Sequence, residues 1–250
     1  IAKETGLEPL AALLLLQNTH EPLEETAKAY ISEEKQVASA AEAVKGAADI
    51  IAEMISDNAD YRSWIRKTTM KKGKLISTAK DPEAESVYEM YYEFEEAVPK
   101  LAGHRVLALN RGEKEKFLTV KIEAPEEEII GWLERKVIRS DNPYTTPVLK
   151  ETTADSYHRL IAPAIEREIR GELTEKAEDG AIEVFGKNLH QLLMQPPIAG
   201  KVVLGWDPAF RTGCKLAVVD PTGKVLGTTV IYPTAPTTPQ KIKASKDLLK

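Results

Sequence analysis

The chain has 250 residues, 42% of them hydrophobic and 29% charged, with 34 Lys and Arg against 39 Asp and Glu for a net charge of −5. That is enough core for one large domain or two small ones, and it excludes a surface that is a nucleic-acid footprint throughout; such binding must use a local basic patch. Cys214 is the single cysteine, which excludes an intrachain disulfide and a Cys-based zinc site and fits a reducing, cytoplasmic setting.

The apolar run 10–16 is shorter than the about 20 residues that a bilayer takes. It has neither a basic flank nor a small-residue cleavage signature, so a core helix is predicted and no membrane partner. Ser39-Ala40-Ala41-Glu42 is a capping box, after which Val44, Ala47, Ile51, Met54 and Ile55 recur at helical spacing. Ser56-Asp57-Asn58 breaks that helix. A second carries Tyr61, Trp64, Ile65 and Thr68 on one face until Lys71-Lys72-Gly73 ends it. Two helices joined by a polar turn fit an ordinary helical hairpin or a helix-turn-helix reader. Arg62, Arg66, Lys67, Lys71 and Lys72, with Lys74 beyond them, are nucleic-acid-binding candidates, although cations near a helix C-terminus also offset its dipole.

Tyr88, Tyr91, Tyr92 and Phe94 alternate with glutamates, and base stacking wants positive neighbours, so these aromatics are expected in a core. Alternation over 105–110 and 116–123 predicts a small β-hairpin near 105–123, turning at Arg111-Gly112-Glu113. Pro125 and three following glutamates start a helix that reaches about residue 138. The span 141–153, rich in Pro, Thr and Asn, reads as a linker. Residues 157–161 make a helical turn, Pro163 restarts the helix, Gly180 punctuates it, and a last helix over 181–194 ends at Gln195-Pro196-Pro197.

Val202-Val203-Leu204 suits a strand covered on both faces, and Pro208, which cannot donate to a ladder, stops it near Asp207. A second apolar run over 216–219, a turn at Pro221-Thr222-Gly223 and a third run over 224–232 complete three antiparallel strands. The predicted class is a mainly α, multi-helical N-terminal region with a small β-hairpin, followed by the first strands of an α/β RNase H-like domain. The expected divisions are a helical domain at 1–140, the linker, a helical segment at 154–198 and the incomplete sheet domain at 199–250. Lys250 falls inside what reads as the start of a helix, as in a piece of a longer protein.

The stretch from Val202 to Asp220 resembles the start of the YqgF-type RNase H-like domain of the Tex family of transcription accessory proteins. Four upstream motifs resemble that family in the same order: Ile31-Ser32-Glu33-Glu34-Lys35, His104-Arg105-Val106-Leu107-Ala108-Leu109-Asn110-Arg111-Gly112-Glu113, Asp155-Ser156-Tyr157-His158-Arg159-Leu160-Ile161 and Asn188-Leu189-His190-Gln191-Leu192-Leu193-Met194-Gln195-Pro196-Pro197. The resemblance covers nearly the whole chain. It implies association with nucleic acid, RNA or DNA, through the full-length protein, and with the transcription machinery. No cofactor is implied.

RNase H-like nucleases hold two divalent metals, about 4 Å apart, on several carboxylates. The resemblance puts Asp207 at the first of these positions and the rest beyond residue 250, so no metal site is expected within the chain and Asp207 is its one catalytic candidate. Ala209 stands where resolvase-like members have Gly. Asp220 reads as a turn residue. Arg211 and Lys215 are nucleic-acid-binding candidates, since a guanidinium there can pair with phosphate, while Arg211 can equally bridge to Asp207. His104 and Arg105 are similarly open between a functional and a structural role, a lone His beside an apolar strand being more often a hydrogen-bonded structural residue than a catalyst. Three classes compete: a non-catalytic nucleic-acid-associated accessory factor, a metal-dependent nuclease or junction resolvase, and a protein-interaction scaffold.

Overall fold

The computed structural model describes residues 6–32, 37–196, 198–209, 211–234 and 237–249. Glu33, Glu34 and Lys35 of the first motif and Pro197 of the last lie outside them. Packing divides the chain into two units, one up to Val184 and one from Phe185. Among the described residues no helix is long and apolar enough to cross a membrane.

The first unit is mainly helical: α1 (Glu8–Leu16), α2 (Leu23–Ala27), α3 (Ala40–Asp57), α4 (Ala59–Lys72), α5 (Gly103–Lys114), α6 (Glu126–Val137), α7 (Thr146–Asp155) and the greater part of α8 (Ala162–Leu193), whose residues from Phe185 belong to the second unit. Ser39 caps α3, its Oγ accepting from the Glu42 N–H at 3.2 Å, while the Glu42 carboxylate reaches one residue further back than a capping box does and accepts from the Ala38 N–H at 2.8 Å. Such a cap stabilises a helix by about 1 kcal/mol. Asn58 does the same for α4, its Oδ1 accepting from the Asp60 and Tyr61 N–H groups. The apolar faces so positioned meet in one core that includes Leu10, Leu14, Ile51, Ile65, Ile129 and Leu133.

Three strands, β1 (Lys74–Ala79), β2 (Glu93–Ala97) and β3 (Leu118–Glu123), form an antiparallel sheet in the order β2-β1-β3. The hairpin expected near 105–123 is not there. Residues 103–114 are helix, and β3 pairs with β1, Leu75 opposite Ile122. Val106, Leu109 and Gly112 are the buried positions of α5, a spacing of three that is helical and outweighs the apparent alternation. A Cβ on Gly112 would lie 2.6 Å from Leu118 Cδ1, so this glycine is a close-packing site and not a hairpin turn.

The span 141–153 is also not a free linker, for it contains most of α7, whose Leu149 is fully buried. Its Asn, Thr and Pro content serves the helix start: Asn142 Oδ1 accepts from the Tyr144 and Thr145 N–H groups, and Pro147 occupies the first turn. A π-helical stretch, Ser156–Ile161, follows α7 and precedes Pro163. Its wider turn lets the helix continue past a nitrogen that cannot donate. Gly180 does not interrupt α8, which is unbroken from Ala162 to Leu193.

The second unit carries β4 (Val203–Asp207), β5 (Cys214–Val219) and β6 (Val225–Ile231), antiparallel in that order, then α9 (Pro239–Leu248). β4 is not covered on both faces: Leu204 is 48% and Trp206 46% exposed, and the buried cluster of this sheet is Cys214, Leu216 and Ile231. Apolar composition states what a strand prefers, while burial needs a second layer to pack against it. Cys214 is buried and Lys215 exposed, the alternation a strand imposes.

Candidate nucleic-acid interface

The cations of α4 divide into two groups. Arg62 and Arg66 reach α8: Arg62 pairs with Glu168 at 2.8 Å, and Arg66 pairs with Glu172 and lies 3.8 Å from Glu168. Lys72 pairs with Glu128 of α6 at 2.6 Å, and Lys74 with Glu95. Lys67 and Lys71 make no ion pair with a described residue, and both are exposed. Trp64 of α4 stacks on Trp132 of α6, ring centroids 4.0 Å apart and planes 4° from parallel. Tyr61 meets Trp132 edge-on at 5.5 Å, and the Lys136 ammonium sits over the Trp132 ring at 5.4 Å. All three aromatics are partly buried.

Two of the upstream motifs tie elements together. Arg170 of α8 donates to both carboxylate oxygens of Glu113, to the Asn110 side-chain oxygen and to the Val120 carbonyl, joining α5, β3 and α8. Hydrogen bonding from Arg170 holds the Glu113 carboxyl below the usual glutamate range. Arg105 pairs with Glu96 at 2.8 Å, and His104 is exposed. In the third motif Arg159 bridges Asp155 and Asp49, and its hydrogen bonds lower the Asp155 pKa. Ser156 donates to the Ala52 carbonyl at 2.7 Å, His158 meets Glu126 at 2.8 Å, and burial pushes the Tyr157 hydroxyl up to about 12. The fourth motif starts in the C-terminal part of α8, where Leu189, Leu192 and Leu193 are exposed, as is Met194 just past its end.

In the second unit Asp207 ends β4, and the register sets it directly opposite Lys215 of β5. Opposed residues of an antiparallel pair share a face, so the carboxylate and the ammonium point the same way. Arg211 is exposed and makes no ion pair with Asp207. Asp220 is a turn residue: its Oδ1 accepts from the Thr222 hydroxyl at 2.7 Å and from the Thr222 and Lys224 N–H groups, which lowers its pKa. Among the described residues no three His, Cys, Asp or Glu side chains gather closely enough to hold a metal ion.

Residues 17–185 match the family model described as Tex central region-like, and residues 201–250 match the Tex protein YqgF-like domain. The chain belongs to the Tex family. Among its relatives is the uncharacterized protein YdcI of Bacillus subtilis, 55% identical over 94% of this chain and 33% of its own length. The transcriptional accessory protein Tex of Neisseria gonorrhoeae is 31% identical over 93% of this chain and 31% of its own length. The human S1 RNA-binding domain-containing protein 1 is 32% identical over 92% of this chain and 24% of its own length. The chain thus spans a third or less of the Tex-family relatives it matches.

Proposed function

We propose that this chain serves as the helical scaffold and RNase H-like segment of a nucleic-acid-associated transcription accessory factor of the cytoplasm, and that the segment does not cleave. Its partners are RNA or DNA, engaged through the full-length protein, and the transcription machinery. The names of the Neisseria and human relatives support the transcription and RNA assignments.

The observation that carries the non-catalytic part is the pairing of Asp207 with Lys215. A two-metal site needs several hard oxygen ligands converging on each cation. An ammonium on the same face as the lone strand-end carboxylate instead opposes a divalent ion and favours an anionic neighbour such as a phosphate. The test has two arms, both on the full-length protein. With magnesium or manganese and labelled single-stranded, duplex or four-way-junction DNA, no cleavage is expected; cleavage lost in Asp207→Asn would replace this reading with the nuclease. Labelled RNA and DNA should bind the full-length protein more tightly than the 250-residue chain, and failure of the full-length protein to bind either would remove the accessory-factor reading.

A further inference from the structure

We infer that the Trp64–Trp132 stack and the lysines beside it form a binding face for single-stranded nucleic acid, one base lying against the indoles and the flanking phosphates against Lys67, Lys71 and Lys136. This rests on the nucleic-acid reading above and gives it a place and a mode.

The helical period sorts the cations of α4. Lys67 and Lys71 follow Trp64 by three and seven residues and fall on its side of the helix, whereas Arg62 and Arg66, two residues away on either side, fall on the opposite one. The opposite side is where the structure finds Glu168 and Glu172, so Arg62 and Arg66 are engaged in holding α4 to α8. The lysines on the indole side have no carboxylate partner among the described residues. On α6, Lys136 follows Trp132 by one turn and Arg135 by three residues, adding positive charge at the other end of the stack. On α4 and α6 the acids at this helical spacing are Asp60, one turn before Trp64, and Glu128, which Lys72 already pairs.

A chain of net charge −5 therefore carries an excess of cations beside a partly buried stack of two indoles. Stacking platforms for single strands combine these two features, because every base has a π-face and every nucleotide a phosphate. The acidic aromatic run at 88–94 lacks the second feature, and its Tyr88 and Tyr91 are buried. Duplex DNA is a poorer fit, since its bases are already stacked on one another. Over about 10 Å of α4, seven residues at about 1.5 Å each, the face offers an indole and two ammonium groups in line. Lys136, now over the Trp132 ring, is positioned to exchange that ring for a phosphate.

The experiment uses the 250-residue chain with Trp206→Phe, so that emission comes only from the two stacked indoles, and an unlabelled 15-residue oligouridine or the DNA duplex of equal length. The single strand should quench the tryptophan emission saturably and bind at least tenfold tighter than the duplex. Lys67→Glu/Lys71→Glu/Lys136→Glu, exposed substitutions checked for folding by circular dichroism, should weaken binding by at least tenfold. Its log–log salt slope should fall by about 2, at about 0.7 per lost phosphate contact on a single strand. Binding with no change in indole emission, duplex binding as tight as single-strand binding, or a triple variant within twofold of the parent would each overturn the proposal. If the full-length protein still binds RNA in any of those cases, the site is wrong and the accessory-factor reading stands; if it binds nothing, both fall.

Discussion

Arg170 and Glu113, 57 residues apart, join in a two-pronged pair in which the guanidinium also holds the Val120 carbonyl and the carboxylate also receives the Val120 N–H. A motif that reads as a family signature is thereby a fastening between helix α8, helix α5 and the last strand of the first sheet. Truncating either partner leaves the other charge partly desolvated and short of hydrogen bonds. Arg170→Ala and Glu113→Ala should each destabilise the first unit by about 1–3 kcal/mol, and the double variant by less than the sum. Urea unfolding followed by circular dichroism measures all three; additive losses would show that the two side chains do not act as a pair.

The same pair sets a pH dependence. The folded Glu113 carboxyl lies below its ordinary value of 4.5, chiefly through the Arg170 hydrogen bonds. A depressed carboxyl contributes its full stability above the unfolded pKa and loses it as pH falls through the folded one. The stability gap between the parent and Glu113→Gln should therefore be constant from neutrality down to about pH 5 and close as pH drops below about 4.5. Unfolding midpoints at a series of pH values read this directly, and a gap that widened in acid would contradict the assignment.

Much of the helical unit is legible from local rules. The Ser39 cap, the break at Asn58 and the acidic start of α6 are effects of side chains on backbone within a few residues, and the structure has each where the residues put it. The misread hairpin is a local pattern overridden by a distant partner. Residues 105–110 alternate well enough for a strand, but β1 supplies the partner that β3 needs, which leaves α5 to pack its period-three face on Leu118. The α4 cations could be found in sequence, while their division could not, because Glu168 and Glu172 lie more than a hundred residues away. The face of Trp64, Lys67 and Lys71 was present in the helical spacing, and Trp132 with Lys136 likewise. Only the packing of α4 on α6 joins the two halves.

The tip between β4 and β5 depends on Gly213, which has φ +81° and sits where a Cβ would come within 2.7 Å of the Tyr232 ring and 2.8 Å of Val230. Gly213→Ala is strained twice, by the left-handed backbone and by the ring. It should destabilise the second unit by about 2–4 kcal/mol, combining the positive-φ cost with overpacking. Protease nicking near residues 207–214, with the first unit left intact, is the expected signature. An alanine variant as resistant as the parent would mean that this turn relaxes freely.

Gly180 offers the opposite case. It lies in the middle of α8 with nothing within 4 Å of where a Cβ would stand and with no positive φ. A glycine in an exposed helix interior costs about 1 kcal/mol relative to alanine, through the backbone freedom it retains when unfolded. Gly180→Ala should therefore stabilise the chain by about 0.5–1 kcal/mol and raise its helical circular dichroism, since the added methyl displaces no neighbour. A neutral or harmful effect would point to a bend at this glycine that α8 uses when its exposed neighbours Ile182, Val184 and Phe185 are covered. Measuring Gly171→Ala beside it separates the two explanations, because that position is equally open and should gain the same amount from propensity alone.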